Sequence, residues 1–378
     1  MTDDLGFDIG DLPTPPDPDA SEEIADKFDY NVAFNFAFIG VGQCGGRLAH
    51  TFDELGYART CAVNTTVADL GKLDLPDAKK LDLGNARGAG KDPELAATIF
   101  GDRDEDLFDF MQRNWGDQVD HAMVCFAAAG GTGAGGFLKT AEVARRYMRH
   151  IKRPEKVGAI VALPKDDEGQ QYARNALRTM KQLRSAGLSP VIIIDNQKIA
   201  ELYKPKQSQV HQIENLSTAK LLHLFNRLGG TDSDDTSFDR AEFAKLLDAG
   251  VITFAADTIK KWDDAADVST PIRDRFRRNM LATVDYKTSS MAGLVYVLNG
   301  SAYDIAAGHL DHGTAMFTRM LGDGSVVFTG IYKGTKADPG SIKVMAMIAG
   351  LDWPDQRILD LAQRAGIEGD TVEKVLGV

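Results

Sequence analysis

The chain has 378 residues, 43% hydrophobic and 26% charged, which excludes a wholly disordered or fibrous protein and leaves room for about two domains. A formal net charge of −12 excludes a general nucleic-acid binder, because neutralising phosphates requires a basic surface. Three cysteines without C-x-x-C spacing, no basic-then-apolar leader and no long apolar run exclude a disulfide framework, a zinc site and a membrane span, so a soluble protein of the reducing cytoplasm (of a host cell if the gene is viral) is expected.

Residues 1–30 carry ten acids, one lysine and four prolines, a composition too polar to repay ordering, and read as a disordered acidic tail. From Phe34 a unit of strand, glycine turn and helix repeats. Strands are expected at Phe34–Ile39, Thr60–Val63, Ala122–Ala128, Val157–Leu163 and Val191–Ile194, and helices at Gly133–His150 and Glu168–Ala186. This alternation predicts an α/β fold: a doubly wound, mostly parallel sheet over residues 31–206. A long central helix follows (207–230), closed by Gly229-Gly230. A smaller α/β unit (231–350) then has strands at Val251–Ala255, Gly293–Leu298, Val326–Ile331 and Ile342–Ile348, and a helical segment ends the chain (351–378).

Two glycine loops carry the chemistry. The first, Gly40-Val41-Gly42-Gln43-Cys44-Gly45-Gly46, follows the first strand; glycines admit a phosphate close to the backbone, and a helix start offers free N–H groups. It also satisfies G-x-G-x-x-G, but the second strand ends in Asn64-Thr65 without the acid that a dinucleotide site uses on its ribose. The second loop, Ala129-Gly130-Gly131-Thr132-Gly133-Ala134-Gly135-Gly136, follows Ala122–Ala128. No G-x-x-x-x-G-K-[ST] occurs, which excludes a P-loop. Two such helix starts at neighbouring strand ends would surround a polyphosphate with backbone donors.

With these loops the sequence resembles the tubulin/FtsZ superfamily of GTPases. The second loop resembles its G-G-G-T-G-[ST]-G signature and Gly42-Gln43-Cys44-Gly45 its G-Q-x-G. Arg87-Gly88-Ala89-Gly90-Lys91-Asp92-Pro93 resembles a shortened phosphate-sensing loop, and Asp167-Glu168-Gly169 with Tyr172 and Asn175-Ala176 is similar to the archaeal CetZ branch. The resemblance implies that Gly42, Gln43, Cys44 and Gly130 to Gly135 (Gly130, Gly131, Thr132, Gly133, Ala134, Gly135) hold the α- and β-phosphates of GTP or GDP, and that Gly45 and Asn64 also belong to the nucleotide site. Gln43 would stand near Mg²⁺, and Ala89, Gly90 and Lys91 near the γ-phosphate. Glu168 would accept from the ribose, Asn196 and Asn215 (or Ser217) would read the guanine, and His211 would stack on it. Each has a plainer reading: a solvent-facing lysine at Lys91, helix-terminus chemistry at Glu168, a helix cap at Asn196.

Thr236-Ser237-Phe238-Asp239-Arg240-Ala241-Glu242 resembles the family's catalytic N-x-D-x-x-[DE] element, with Ser237 in place of asparagine. The resemblance implies that Asp239 and Glu242 polarise water in the site of the next subunit, so that GTP hydrolysis is coupled to head-to-tail homopolymerisation; the alternative is an N-cap with its capping-box partner. Expected roles are DNA positioning or partition, or cell shape, rather than a division ring, with a DNA-adaptor or other protein partner reached through the tails and no direct nucleic-acid contact. The run Arg273, Arg275, Arg277, Arg278 reads as a solvated helix face or a contact between subunits. The alternatives are a non-polymerising nucleotide-binding homologue, suggested by Ala129, Ala134 and Ser237, and, more remotely, an NAD-dependent oxidoreductase.

Overall fold

A computed structural model describes residues 26–28, 30–84, 88–203, 210–334, 340–369 and 371–376, without the side chains of 203, 210–214, 277 and 279. The acidic tail up to residue 25, Arg87, and the side chains of His211 and Arg277 therefore lie outside the described residues. In chain order the elements are β1 (Phe36–Val41), α1 (Gly42–Glu54), β2 (Thr60–Asn64), α2 (Val67–Leu70), β3 (Lys80–Asp82), α3 (Pro93–Asp102), α4 (Asp104–Trp115), β4 (His121–Ala127), α5 (Thr132–His150), β5 (Val157–Leu163), α6 (Gln170–Ser185), β6 (Val191–Asp195), α7 (Asn196–Tyr203) and α8 (Val210–Leu228). The second half adds α9 (Arg240–Leu247), β7 (Val251–Ile259), α10 (Ala265–Asn279), β8 (Met291–Gly300), α11 (Ala307–Met320), β9 (Val326–Lys333), β10 (Gly340–Leu351), α12 (Asp355–Ala365) and α13 (Val372–Leu376).

The ten strands of the described residues form one sheet, in the order β3-β2-β1-β4-β5-β6-β7-β10-β8-β9. Strands β3 to β6 are parallel, and β10 runs antiparallel between β7 and β8. The strands of residues 31–206 thus continue into those of residues 231–350 within the one sheet, by parallel pairing of Val191 and Ile192 with Val251 and Ile252. The strands β1, β5 and β6 are buried throughout because helices cover both faces. Along β1 the alternation is clear: Ala37, Ile39 and Val41 join the core under α5 and α6, while Phe36 and Phe38 join the core under α1 and α8.

Helix α8 crosses the back of the sheet for roughly 28 Å at 1.5 Å per residue, burying Leu222 and Phe225. Its Asn226 side chain bonds both backbone groups of Phe34, accepting from the N–H at 2.8 Å and donating to the carbonyl at 3.0 Å. That pairing holds residues 33–34 on α8, so the sheet strand begins at Phe36, two residues later than expected. The expected helix from Glu168 begins at Gln170, with Gly169 as its N-cap; Glu168 stands in the turn before it. In the basic run, Arg273 pairs with Asp274 and Arg275 with Asp257.

Candidate functional site: a cleft at the strand ends

The carboxyl ends of β1, β4 and β5 open onto a cleft of about 720 Å³. Two helices point their N-termini into it. Helix α1 begins at Gly42 and α5 at Thr132; neither has a side-chain cap, and neither carries an acid in its first turn. Their unpaired N–H groups and positive dipole ends make the wall between them an anion site.

Glycine is needed where these loops meet. Gly42 has φ +74°, and a methyl there would lie 3.0 Å from the Gly133 nitrogen. At Gly131 a methyl would lie 2.9 Å from the backbone of Lys91, so the second glycine loop abuts residues 88–92. Gly88, Gly90 and Lys91 all have positive φ; for Lys91 this is an uncommon and mildly strained conformation. Asn175 on α6 ties the two segments together, donating at 3.1 Å to the carbonyls of both Lys91 and Ala129. The Lys91 ammonium rests 4.6 Å from the centre of the Tyr172 ring, and the hydroxyls of Thr65 and Thr132 are 2.9 Å apart.

At the other end of the cleft, Glu168 accepts from the Lys165 N–H at 2.8 Å, which fixes the turn after β5. Asn196 opens α7 at the end of β6. Its Oδ1 is buried and has no hydrogen-bond partner among the described residues, an arrangement that a ligand donor would satisfy. Buried Asn215 borders the cleft close by, whereas Ser217 does not line it.

The structure brings together most of the residues singled out in the sequence: Gly42, Gln43, Cys44, Ala89, Gly90, Lys91, Gly130, Gly131, Thr132, Gly133, Glu168, Asn196 and Asn215 all border this cleft. It does not bring Gly45, Asn64, Ala134 or Gly135 to the cleft's lining. Gly45 packs α1 on β4, where a methyl would lie 2.0 Å from the Cys125 carbonyl oxygen; Gly135 packs α5 on α3, where it would lie 2.1 Å from that of Pro93. Asn64 is buried and accepts from the Thr65 N–H, and Ala134 is core. Arg47, Thr66, Asp69, Asp167 and Tyr172 also border the cleft, and the sequence reading gave them no role. Arg47 follows Gln43 by four residues on α1, one helical turn, a spacing that could have placed it.

Asp239 and Glu242 lie elsewhere, at the start of α9, outside this cleft's lining. Each accepts from the other's backbone N–H in a capping box. Burial raises the Glu242 pKa, opposed by its bond from the Asp239 N–H. The Tyr332 hydroxyl fixes the approach to this element, accepting from the Phe238 N–H and donating to the Leu228 carbonyl, both at 2.9 Å.

Comparison with known proteins agrees with this layout. Residues 35–204 match the sequence model of the Tubulin/FtsZ family, GTPase domain. The tubulin-like protein CetZ of Methanothrix thermoacetophila is 21% identical over 336 residues, 83% of this chain and 87% of that protein. The CetZ of Pyrococcus abyssi is 27% identical, covering 83% and 84%. Among solved structures, a GTPγS-form protofilament of TubZ from Bacillus thuringiensis serovar israelensis shares the fold, with a TM-score of 0.76 at 18% identity over 89% of this chain and 92% of that one. The two glycine-rich helix starts that face this cleft thus lie within the residues that match the Tubulin/FtsZ GTPase-domain model.

Proposed function

We propose that the chain binds GTP and GDP in the cleft and hydrolyses GTP on assembling head-to-tail into filaments. One observation carries the reading: the uncapped, acid-free N-termini of α1 and α5 share a cleft with an Asn196 oxygen that has no partner among the described residues. A ligand with a polyphosphate at one end and hydrogen-bonding base edges at the other fits both ends at once. The backbone N–H groups of residues 42–44 and 130–133 hold the α- and β-phosphates, and Ala89, Gly90 and Lys91 stand at the γ-phosphate. Glu168 accepts from the ribose, and Asn196 and Asn215 read the base, an amide offering both donor and acceptor. Among the described residues no three or more His, Cys, Asp or Glu side chains gather into a metal set. A Mg²⁺ arriving with the nucleotide would keep phosphate oxygens and water as its ligands, with the Gln43 amide nearby, and would neutralise phosphate charge.

Asp239 and Glu242 lie outside the lining of their own chain's cleft, so a second copy must deliver them to it. Phosphoryl transfer depends mainly on positioning and charge stabilisation, which two carboxylates on a docking neighbour can complete by orienting the attacking water. A contact of this kind is heterologous and extends into an open filament, the form of the TubZ protofilament neighbour. The capping box favours a second reading, a nucleotide-binding homologue that does not polymerise, because it gives both acids a purely local role. No helix among the described residues is long and apolar enough to cross a membrane. We assign the filament to DNA positioning or cell shape.

The deciding experiment is sedimentation across a protein concentration series with GTP, GDP or GTPγS, with phosphate release measured in parallel. Pelleting above a critical concentration, with turnover rising only there, is expected. Nucleotide binding without pelleting or turnover would establish the non-polymerising reading.

A further inference from the structure

Helix α12 lies far outside the matched residues 35–204 and does not line the cleft, yet one of its side chains grips the cleft's nucleoside end from behind. Arg357 is only 4% exposed. Its Nη1 donates to the Asp166 carboxylate and its Nη2 to the Pro164 carbonyl, both at 2.6 Å. Its Nε lies 3.2 Å from the carboxylate of Asp195, an ion pair without hydrogen-bond geometry, and Asp195 is itself 2% exposed. Asp166 stands two residues before Glu168 in the same turn, and Asp195 stands immediately before Asn196.

The turn and the β6–α7 junction are also joined directly. Asp166 donates its N–H to the Gln197 side chain at 3.0 Å, and Gln197 donates its own N–H to Asp195 at 3.2 Å. Helix α12 is seated firmly enough to serve as an anchor. Gln170 and Arg174 on α6 donate to the carbonyl of Ala365, its last residue, at 3.0 and 3.1 Å, satisfying an otherwise orphaned group. Arg364, seven residues beyond Arg357 on the same helix, also reaches Asp166. Withdrawing a guanidinium and a carboxylate from water gains little net stability over apolar packing. What the fork supplies is geometry in the Glu168 turn, because a planar guanidinium fixes the Asp166 and Pro164 acceptors in both distance and direction.

We infer that Arg357 is a positioning residue for the nucleoside half of the ligand, holding the Glu168 turn and Asn196 at the separation that ribose and base require. The inference rests on the guanine-nucleotide reading above. The phosphate loops lie on other elements, so helix α12 sets base selection without touching the phosphates.

The test uses the full chain and fluorescent mant-GDP, displaced by GTP or by ATP. Replacing Arg357 alone by methionine strands Asp195, so the main variant is R357M/D195N, which removes both charges; Arg357→Lys keeps the charge and loses the fork. For R357M/D195N GTP is expected to bind about tenfold more weakly and the GTP-over-ATP preference to narrow; Arg357→Lys is expected to shift both in the same direction by less and to keep a wild-type unfolding midpoint. If the double variant does not fold, Arg357→Lys decides. An unchanged GTP-over-ATP preference in the folded variants overturns the inference and leaves the nucleotide reading standing. Absence of mant-GDP binding by the wild-type chain overturns that reading, and the inference with it.

Discussion

Asp239 and Glu242 hold each other in place: the Asp239 carboxylate accepts from the Glu242 N–H at 2.8 Å, and the Glu242 carboxylate accepts from the Asp239 N–H at 3.2 Å. One pair of residues thus starts α9 and presents two carboxylates outward, so alanine substitutions would confound helix capping with catalysis. Asp239→Ala should cost about 1 kcal/mol of stability by removing the cap. The pair D239N/E242Q keeps amide oxygens that accept the same bonds and removes only the charges. The expected outcome is a near-native unfolding midpoint, GTP-dependent pelleting, and phosphate release reduced at least about tenfold, since water positioning by charge is what is lost. Unchanged phosphate release in this variant would reduce the two residues to caps.

Gly130 and Gly131 are neighbours with opposite surroundings. A methyl on Gly130 meets nothing within 4 Å, whereas one on Gly131 meets the Lys91 and Asp92 backbone at 2.9 to 3.0 Å. Backbone on the far side of the contact cannot swing away. Gly131→Ala should therefore destabilise the chain by about 1–3 kcal/mol, the usual range for overpacking. It should also weaken nucleotide binding, because the loop carrying Lys91 is displaced. Gly130→Ala should leave the unfolding midpoint unchanged. Thermal unfolding with and without GDP separates the two.

The glycine loops and the parallel strands were legible in the sequence because both are local signals. Val157–Leu163 is a continuous apolar run buried on both faces, and its expected and observed limits coincide. Strand β3 escaped notice because Lys80-Leu81-Asp82 is only half-buried and pairs along one edge. Helices α3 and α4 carry local marks in the sequence as well: Asp92 caps before Pro93, and Leu107, Phe110, Met111 and Trp115 have helical spacing. The junction of Val191 and Ile192 with Val251 and Ile252 is different in kind. It joins segments sixty residues apart, and no local pattern announces a parallel pairing of that sort. The same holds for Arg357, about 190 residues from Asp166 in sequence and 2.6 Å from it in space. Of the cleft's lining, the two glycine loops were legible in sequence; the Arg357 contacts behind the turn after β5 and the packing roles of Gly45 and Gly135 required the fold.

His223 on α8 sits almost wholly buried between Tyr30 and Tyr57, 2.7 Å from one hydroxyl and 3.1 Å from the other. Burial, with Arg227 adding repulsion, lowers its pKa to about 4, and burial does the same to His121. Unfolded, each histidine would titrate near 6.5. Their contribution is therefore fully present above pH 6.5 and is lost as pH falls towards 4, because the unfolded chain takes up the proton first. The slope is up to about 1.4 kcal/mol per pH unit for each histidine. Asp26 and Asp195, whose pKa values burial raises, oppose it. The difference between the wild type and His223→Gln isolates one histidine. That difference in urea-unfolding free energy should shrink from pH 7 to pH 4.5; a constant difference would show that His223 does not titrate on unfolding.

Lys91 is held in a left-handed backbone conformation, with φ 66°, at the point where the 88–92 loop meets Gly131. Its ammonium lies over the Tyr172 ring and borders the same cleft as both glycine loops. A lysine stem has enough freedom to leave an aromatic face for a phosphate, and a cation–π contact worth about 0.5–1 kcal/mol at a partly exposed site is readily exchanged for a charge-assisted hydrogen bond. The proposed γ-phosphate role therefore predicts a difference between nucleotides rather than a general loss. In Lys91→Ala, GDP should bind as in the wild type, while GTPγS should bind several-fold more weakly, as expected for one lost charged contact of about 1 kcal/mol or more. Lys91→Gly relieves the backbone strain as well and should show the same selective loss with no loss of stability. Equal weakening of GDP and GTPγS would mean that Lys91 shapes the loop instead of meeting the third phosphate, and unchanged binding of both would leave it a solvent-facing lysine resting on Tyr172.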